Sequence, residues 1–264
     1  MKLLIKLLKG QYTISHLFGR FQIFSKLFLI VNQIKYNKKP KNLLGKQFKI
    51  NIANNNVLSK LNVDGYYNGI SLDKKTVKNI IKKIKNKRVF HPTPEGRIYG
   101  KIYKPLYIKK SLKYATRVYV DDVNKISEIQ KISRDSRIFE IFYSYFGYYP
   151  QSINSMIFLN YPIKMNEDER LEFETVKYHF DIESPNSLYW SFYLTDVNKF
   201  NAPHALIKKT HKEKPFKFLM SGANINDSDI FKHYNQKDES IICLSKGKGF
   251  IEDASIYHKN FPAK

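Results

Sequence analysis

The stretch YHFDIESPNSLYWSFYLTDV, Tyr178 to Val197, decides the fold. It sets a histidine and an aspartate two positions apart and runs on into an aromatic, β-prone segment. Successive side chains of a strand point to opposite faces, so His179 and Asp181 share one side and Phe180 takes the other. One imidazole nitrogen and one carboxylate oxygen are thereby offered to a common point. A second histidine from a distant strand would complete the two-histidine, one-carboxylate face that holds Fe(II) and leaves coordination positions open. His258, in the β-prone run GFIEDASIYHKN, is the candidate. A His-x-Asp pair is weak on its own, since surface histidines beside acids are common.

Outward from that stretch, the chain beyond Pro150 breaks into short β-prone runs: SMIFLNYP, ETVKYHFDI, LYWSFYLTDV, HALIKKT, ESIICLS and GFIEDASIYH. Turn residues separate them, which suggests an antiparallel sandwich or barrel. Upstream, LNVDGYYNGI reads as a short strand and turn. SLDKKTVKNIIKKIKN reads as a helix capped by Ser71 or Asp73, with Val77, Ile80, Ile81 and Ile84 as its apolar stripe. Residues 121–147 are helical in pattern and close at Gly147 and Pro150. Lys38 to Asn56, rich in Lys, Asn and Gly, reads as a loop. The expected order is helices first and a β-barrel second.

At 264 residues and 42% hydrophobic content the chain can bury a real core, and one domain with an extension fits that length. Residues 1–45 read as a basic, partly amphipathic extension and 46–264 as the domain. The 46 Lys and Arg against 23 Asp and Glu give a net charge of +23. Lysine, isoleucine, asparagine, tyrosine and phenylalanine are all heavily used and the lysines are scattered, so no specific nucleic-acid partner is expected. MKLLIKLLKG spaces Lys2, Lys6 and Lys9 against leucine and isoleucine, a pattern suited to weak association with an anionic membrane surface. The run LFLIV at 27–31 is too short to span a bilayer, and no cleavage site follows a signal-like core. The single Cys243 rules out an internal disulfide and a multi-cysteine zinc site. It reads as a small buried apolar residue in a protein of the reducing cytoplasm.

Around the His179/Asp181 pair, SFYLTDVNKFNAPHALIKKTHK (191–212) and GKGFIEDASIYHK (247–259) follow in a fixed order. In that order the chain resembles the phytanoyl-CoA dioxygenase family of Fe(II)/2-oxoglutarate-dependent oxygenases. The match runs over about 57–264 and is strongest from 176 onward. The resemblance implies an α+β, mainly β fold: a double-stranded β-helix, jelly-roll or cupin-like, with N-terminal helices packed on it. It implies iron held by His179, Asp181 and His258, with 2-oxoglutarate and O2 as cosubstrates. Oxidative decarboxylation then gives succinate, CO2 and an oxidant that attacks an unactivated C–H bond of a small or carrier-linked substrate. Relatives that halogenate have a small residue in place of the carboxylate, so Asp181 implies hydroxylation or a related oxidation.

In the family, the distal carboxylate of 2-oxoglutarate is held by an arginine about ten residues past the second metal histidine, because a planar fork grips a carboxylate bidentately. This sequence stops six residues past His258, at Lys264. The expectation is a domain cut short at its C-terminus, or Lys264 as substitute. Tyr193, on the strand after the metal pair, is a candidate cosubstrate contact; a packed aromatic is the alternative. His204 and His211 read as structural or substrate-side, His233 as solvated, and His16 and His91 as without a role. Asp196 and Asp253 suit turn hydrogen bonds. The segment 90–106 reads as a variable substrate loop, in a monomer or homodimer. Two other readings remain open: a non-catalytic cupin-like binding module, and a basic protein of membrane surfaces or nucleic acid.

Overall fold

A computed structural model describes residues 18–50, 54–93, 96–108, 113–166, 176–181, 186–221 and 224–264. The MKLLIKLLKG motif and His16 lie outside the described residues, as do Glu174, Thr175 and Ile182 of ETVKYHFDI. Helices α1 (Gln22–Lys35), α2 (Asn54–Asp64), α3 (Lys74–Ile84), α4 (Ser127–Ile132) and α5 (Ser136–Phe146) fall in the first part of the chain. The short α6 (Phe216–Ser221) and α7 (Asp227–Ile230) interrupt the second part. Strands are β1 (Lys49–Ile50), β2 (Tyr66–Ser71), β3 (Arg88–Thr93), β4 (Gly96–Lys101), β5 (Tyr107–Ile108), β6 (Lys113–Tyr114) and β7 (Arg117–Val120). They continue as β8 (Phe158–Asn160), β9 (Leu188–Phe192), β10 (His204–Ile207), β11 (Glu239–Ile242), β12 (Lys248–Asp253) and β13 (Tyr257–Asn260).

The strands form antiparallel sheets in the orders β1-β2-β12-β9, β11-β10-β13 and β4-β3-β7-β8, with β5-β6 a separate pair. The fold is therefore mixed helix and antiparallel sheet. The expected division into helices first and barrel second does not hold. Strand β2 sits between β1 and β12, with Tyr66 opposite Glu252 and Ile70 opposite Gly249, so the first half of the chain supplies strands to the sheet of the second. The segment 90–106 is not mainly loop either. Arg88–Thr93 and Gly96–Lys101 pair as a hairpin, with Phe90 tilted against Tyr99 (6.1 Å) and stacked on Tyr119 (5.7 Å) as cross-strand aromatic pairs.

Local signals in the helices are followed closely. Asp73 caps α3, accepting from the Thr76 N–H (2.9 Å) and hydroxyl (2.6 Å), and Val77, Ile80 and Ile84 are buried. Gly147 closes α5 at φ 77°, a left-handed conformation that favours glycine. The 38–56 segment is more than a linker: Phe48 is buried between Trp190 (5.5 Å) and Phe192 (5.7 Å). Cys243 is exposed, contrary to expectation. Ile242 takes the inward position, and alternation turns the next residue out.

Strand β12 separates two interiors. Ile251 faces the main core, shared with Val57 and Leu61 of α2, Ile80 of α3 and Ile138 of α5. Phe250 and Glu252 face the other way, toward the β11-β10-β13 sheet, where Phe250 joins Leu206, Ile242 and Ile256. The site lies in this second space.

Candidate metal centre

His179 and His258 belong to segments that meet as an antiparallel bridge. His179 N–H donates to His258 O at 3.0 Å and His258 N–H to His179 O at 2.8 Å. Asp181 is fixed two residues on, its N–H donating to Ala254 O at 3.0 Å. The three side chains that the sequence singled out come together: one donor atom from each lies within 4.8 Å of the others. The imidazole rings are 4.4 Å apart, and His258 Nε2 is 3.6 Å from Asp181 Oδ2. The His258 side chain is 6% exposed and that of Asp181 34%, so the cluster is enclosed on the histidine side and open at the carboxylate.

The donors are set for a cation. His179 Nδ1 lies 3.0 Å from Lys177 O and His258 Nδ1 3.1 Å from Ile256 O. A nitrogen facing a carbonyl must carry the proton, which leaves each Nε2 lone pair for a metal. Burial favours neutral imidazole: His258 is pushed down to about 4, and His179 is lowered by the same cause. Tyr189, on β9, donates its hydroxyl to Asp181 Oδ2 at 2.7 Å and fixes the carboxylate. It shares the strand face of Ser191 and Tyr193, so alternation could have found it.

Beside the triad sits a buried ion pair. His204 Nε2 and Glu252 Oε2 are 2.8 Å apart, and the His204 ring is 5.2 Å from that of His258 and stacked on Phe250. Burial would lower the His204 pKa, but the charge and hydrogen bond of Glu252 outweigh it and the net shift is upward. Burial likewise raises the Glu252 carboxyl, and the pull of His204, with smaller ones from His258 and His179, brings it below its ordinary value. Nothing in GFIEDAS marks Glu252 over Asp253. Asp253 instead does turn work, accepting from the Ser255 N–H (2.8 Å) and hydroxyl (2.6 Å), and from Tyr145 (2.9 Å). Asp196 accepts from the Lys246 N–H at 2.8 Å.

Tyr193 and Lys264, the cosubstrate candidates, each have protein partners. The Tyr193 hydroxyl donates to Ile242 O (3.1 Å), receives the His204 N–H (3.2 Å), and packs against the Phe250 cluster. Burial pushes its phenol up to about 12. Lys264 is exposed, its N–H bonded to Phe200 O and its ammonium 6.0 Å from the Phe200 ring. A cleft of about 200 Å³ is lined by Arg117, His91, Asn160 and Asn260, among others. Asn260 shares the β13 face of His258 and lies 3.4 Å from His204 Nδ1, so cleft and triad are one side chain apart. His91, to which sequence gave no role, holds Arg117 O through Nδ1 at 3.0 Å. His211 contacts Asn62 O (3.3 Å), and His233 is exposed.

No family model matches the chain, and no curated protein matches its sequence. Solved structures do resemble it. The non-heme α-ketoglutarate-dependent epimerase SnoN from nogalamycin biosynthesis aligns with TM-score 0.48 and 15% identity over 79% of this chain and 76% of that one. AviO1 from Streptomyces viridochromogenes Tue57 aligns with TM-score 0.47 and 11% identity over 81% and 90%. EvdO2 from Micromonospora carbonacea var. aurantiaca, in a crystal structure complexed with 2-oxoglutarate, aligns with TM-score 0.50 and 9% identity over 81% and 86%. At that identity the EvdO2 likeness is one of fold, and the chain is a mixed helix and antiparallel-sheet protein of the same fold as EvdO2.

Proposed function

We propose that the chain is an Fe(II)/2-oxoglutarate-dependent oxygenase of the phytanoyl-CoA dioxygenase type, built on a double-stranded β-helix. Its reaction is hydroxylation of an unactivated C–H bond in a small or carrier-linked molecule. One oxygen atom of O2 goes to product and the other to succinate, with CO2 released. The observation that carries this reading is the convergence of His179, Asp181 and His258 donors within 4.8 Å, open on one side. The shared fold of EvdO2, a protein solved with 2-oxoglutarate, supports it.

The residues present fit the metal. Two neutral imidazoles and one carboxylate are the donor set that suits Fe(II), and the Nδ1 contacts to Lys177 O and Ile256 O aim both Nε2 atoms inward. Bound iron and 2-oxoglutarate together supply an O2-dependent oxidation that side chains alone cannot. The chain's part is placement. Tyr189 holds Asp181 at the open side. His204, stacked on Phe250 and tied to Glu252, walls the buried side of His258 and keeps water from it. Arg117, a fixed cation in the cleft that Asn260 also lines, takes the distal carboxylate of 2-oxoglutarate in this reading.

Anaerobic titration with Fe(II) and then 2-oxoglutarate tests the proposal through the visible charge-transfer band of the chelate. The band should form in the parent protein and vanish in His258→Ala. Arg117→Gln should raise the 2-oxoglutarate requirement about tenfold or more, the loss of a charge-assisted pair, with iron affinity kept. Iron binding without the band in the parent protein would sink the oxygenase reading. An Arg117→Gln titration matching the parent would remove Arg117 from the subsite.

A further inference from the structure

Helix α1 presents its apolar face to solvent. The side turned to the domain mixes polar and apolar contacts: Gln33 donates to Phe146 O (2.8 Å), Ser25 to Asn186 Oδ1 (3.3 Å), and Asn32 Oδ1 accepts from Gln151 (3.1 Å). Leu29 packs there against the Phe142, Phe146 and Tyr148 cluster. The opposite side carries Ile23, Leu27, Ile30, Val31 and Ile34, each between 53% and 75% exposed. Their spacing of i, i+4, i+7, i+8 and i+11 makes one continuous stripe, which a helix of a soluble domain ordinarily turns inward. Exposed Lys26 and Lys35 border it on either side.

An unpaired apolar stripe of this kind marks an interaction surface, and the charge of the chain that carries it selects the occupant. Twelve Lys and Arg, and no Asp or Glu, precede Asp64. A protein partner is ordinarily met with interspersed charges of both signs at its rim, whereas a field of one sign over a narrow hydrocarbon strip suits an anionic lipid surface. Lysine stems flanking the strip can lie along the acyl boundary while their ammonium groups reach the phosphates. We infer that α1 lies in the plane of an anionic bilayer surface, with the stripe in the acyl boundary and Lys26 and Lys35 at headgroup level. No helix among the described residues is long and apolar enough to cross a membrane, so the contact is interfacial. This inference does not rest on the metal reading.

The test is co-sedimentation of the full chain with phosphatidylcholine vesicles, with and without phosphatidylglycerol. Binding is expected with the anionic lipid and should fall as salt rises. Ile30→Ser with Ile34→Ser should weaken it about tenfold or more through lost apolar burial. Lys26→Gln with Lys35→Gln should weaken it about thirtyfold, at roughly 1 kcal/mol per lysine. These positions are exposed, so both variants should keep the parent circular dichroism and melting curve. The lysine pair stands in if the isoleucine pair misfolds. No binding by the parent chain would overturn the inference, as would binding that neither pair alters, the result if upstream residues cover the stripe. So would an isoleucine pair that turns a dimer into a monomer and leaves vesicle binding untouched, since the stripe would then meet a second copy.

Discussion

Around β12 and β13 the molecule encloses Glu252, His258 and Lys259 away from water, with the His204 side chain only 12% exposed; along α1 it leaves five aliphatic side chains in water. The two departures from ordinary burial differ in energetic kind. Enclosed charge costs folding free energy unless paired, and here each charge has a partner: Glu252 for His204, and Asp227 for Lys259 at 2.5 Å. Exposed hydrocarbon costs the fold almost nothing, because those groups are equally exposed in the unfolded chain. Stability should therefore be sensitive in the first region and indifferent in the second.

The comparison can be broken at several points. The largest effect is expected from His258→Ala, which should weaken Fe(II) binding by more than about a hundredfold through loss of one ligand of three, read by anaerobic metal titration. Parent-like affinity would place the iron elsewhere. Glu252→Ala leaves His204 enclosed without its counter-charge and should destabilise by about 3 kcal/mol in urea melts. An unchanged midpoint would mean that the enclosed pair contributes nothing. Tyr189→Phe removes only the hydroxyl on Asp181 and should weaken iron binding about tenfold, with the melt unchanged.

Lys214 sharpens the electrostatic side of the contrast. Its ammonium donates to Thr210 O at 2.8 Å and sits over the rings of Phe180 (4.8 Å) and Tyr257 (5.4 Å). Burial pushes it down to about 8 from 10.5. Between those values the unfolded chain holds a proton that the folded chain has released, so this group adds stability as pH rises through the window. Lys214→Met should stabilise by about 1 kcal/mol near neutrality, and the advantage should shrink toward pH 10.5. An advantage that does not change with pH would show that packing, not charge, sets it. The smallest effect belongs to α1: Ile30→Ser should move stability by no more than about 0.5 kcal/mol. A large loss there would mean that the stripe packs against protein.

Much of the site was legible because period-two alternation is local. It places His179 and Asp181 on one face without knowledge of the rest, and the same rule reaches Tyr189. Glu252 beside the triad and Arg117 in the cleft, the latter a proposed contact, were not legible, since one acid in GFIEDAS and one arginine in ATRVYV look like any other until the sheets are assembled. The β2–β12 pairing was hidden for the same reason, because a strand does not name its neighbour. Pro92 and the glycines at 96 and 100 masked the 88–101 hairpin by mimicking loop composition. The orientation of α1 shows a subtler limit: periodicity reveals that a stripe exists but not which way it points.

The mutual hydrogen bonds of His179 and His258 also have a temporal consequence. On the ribosome, chain growth at about 5–20 residues per second delivers His179 and Asp181 several seconds before β13 emerges. Until then the first two donors lack both the third and the main-chain bridge that aligns them. If the centre takes iron as proposed, loading follows translation of β13, and that strand serves as the clasp of the centre.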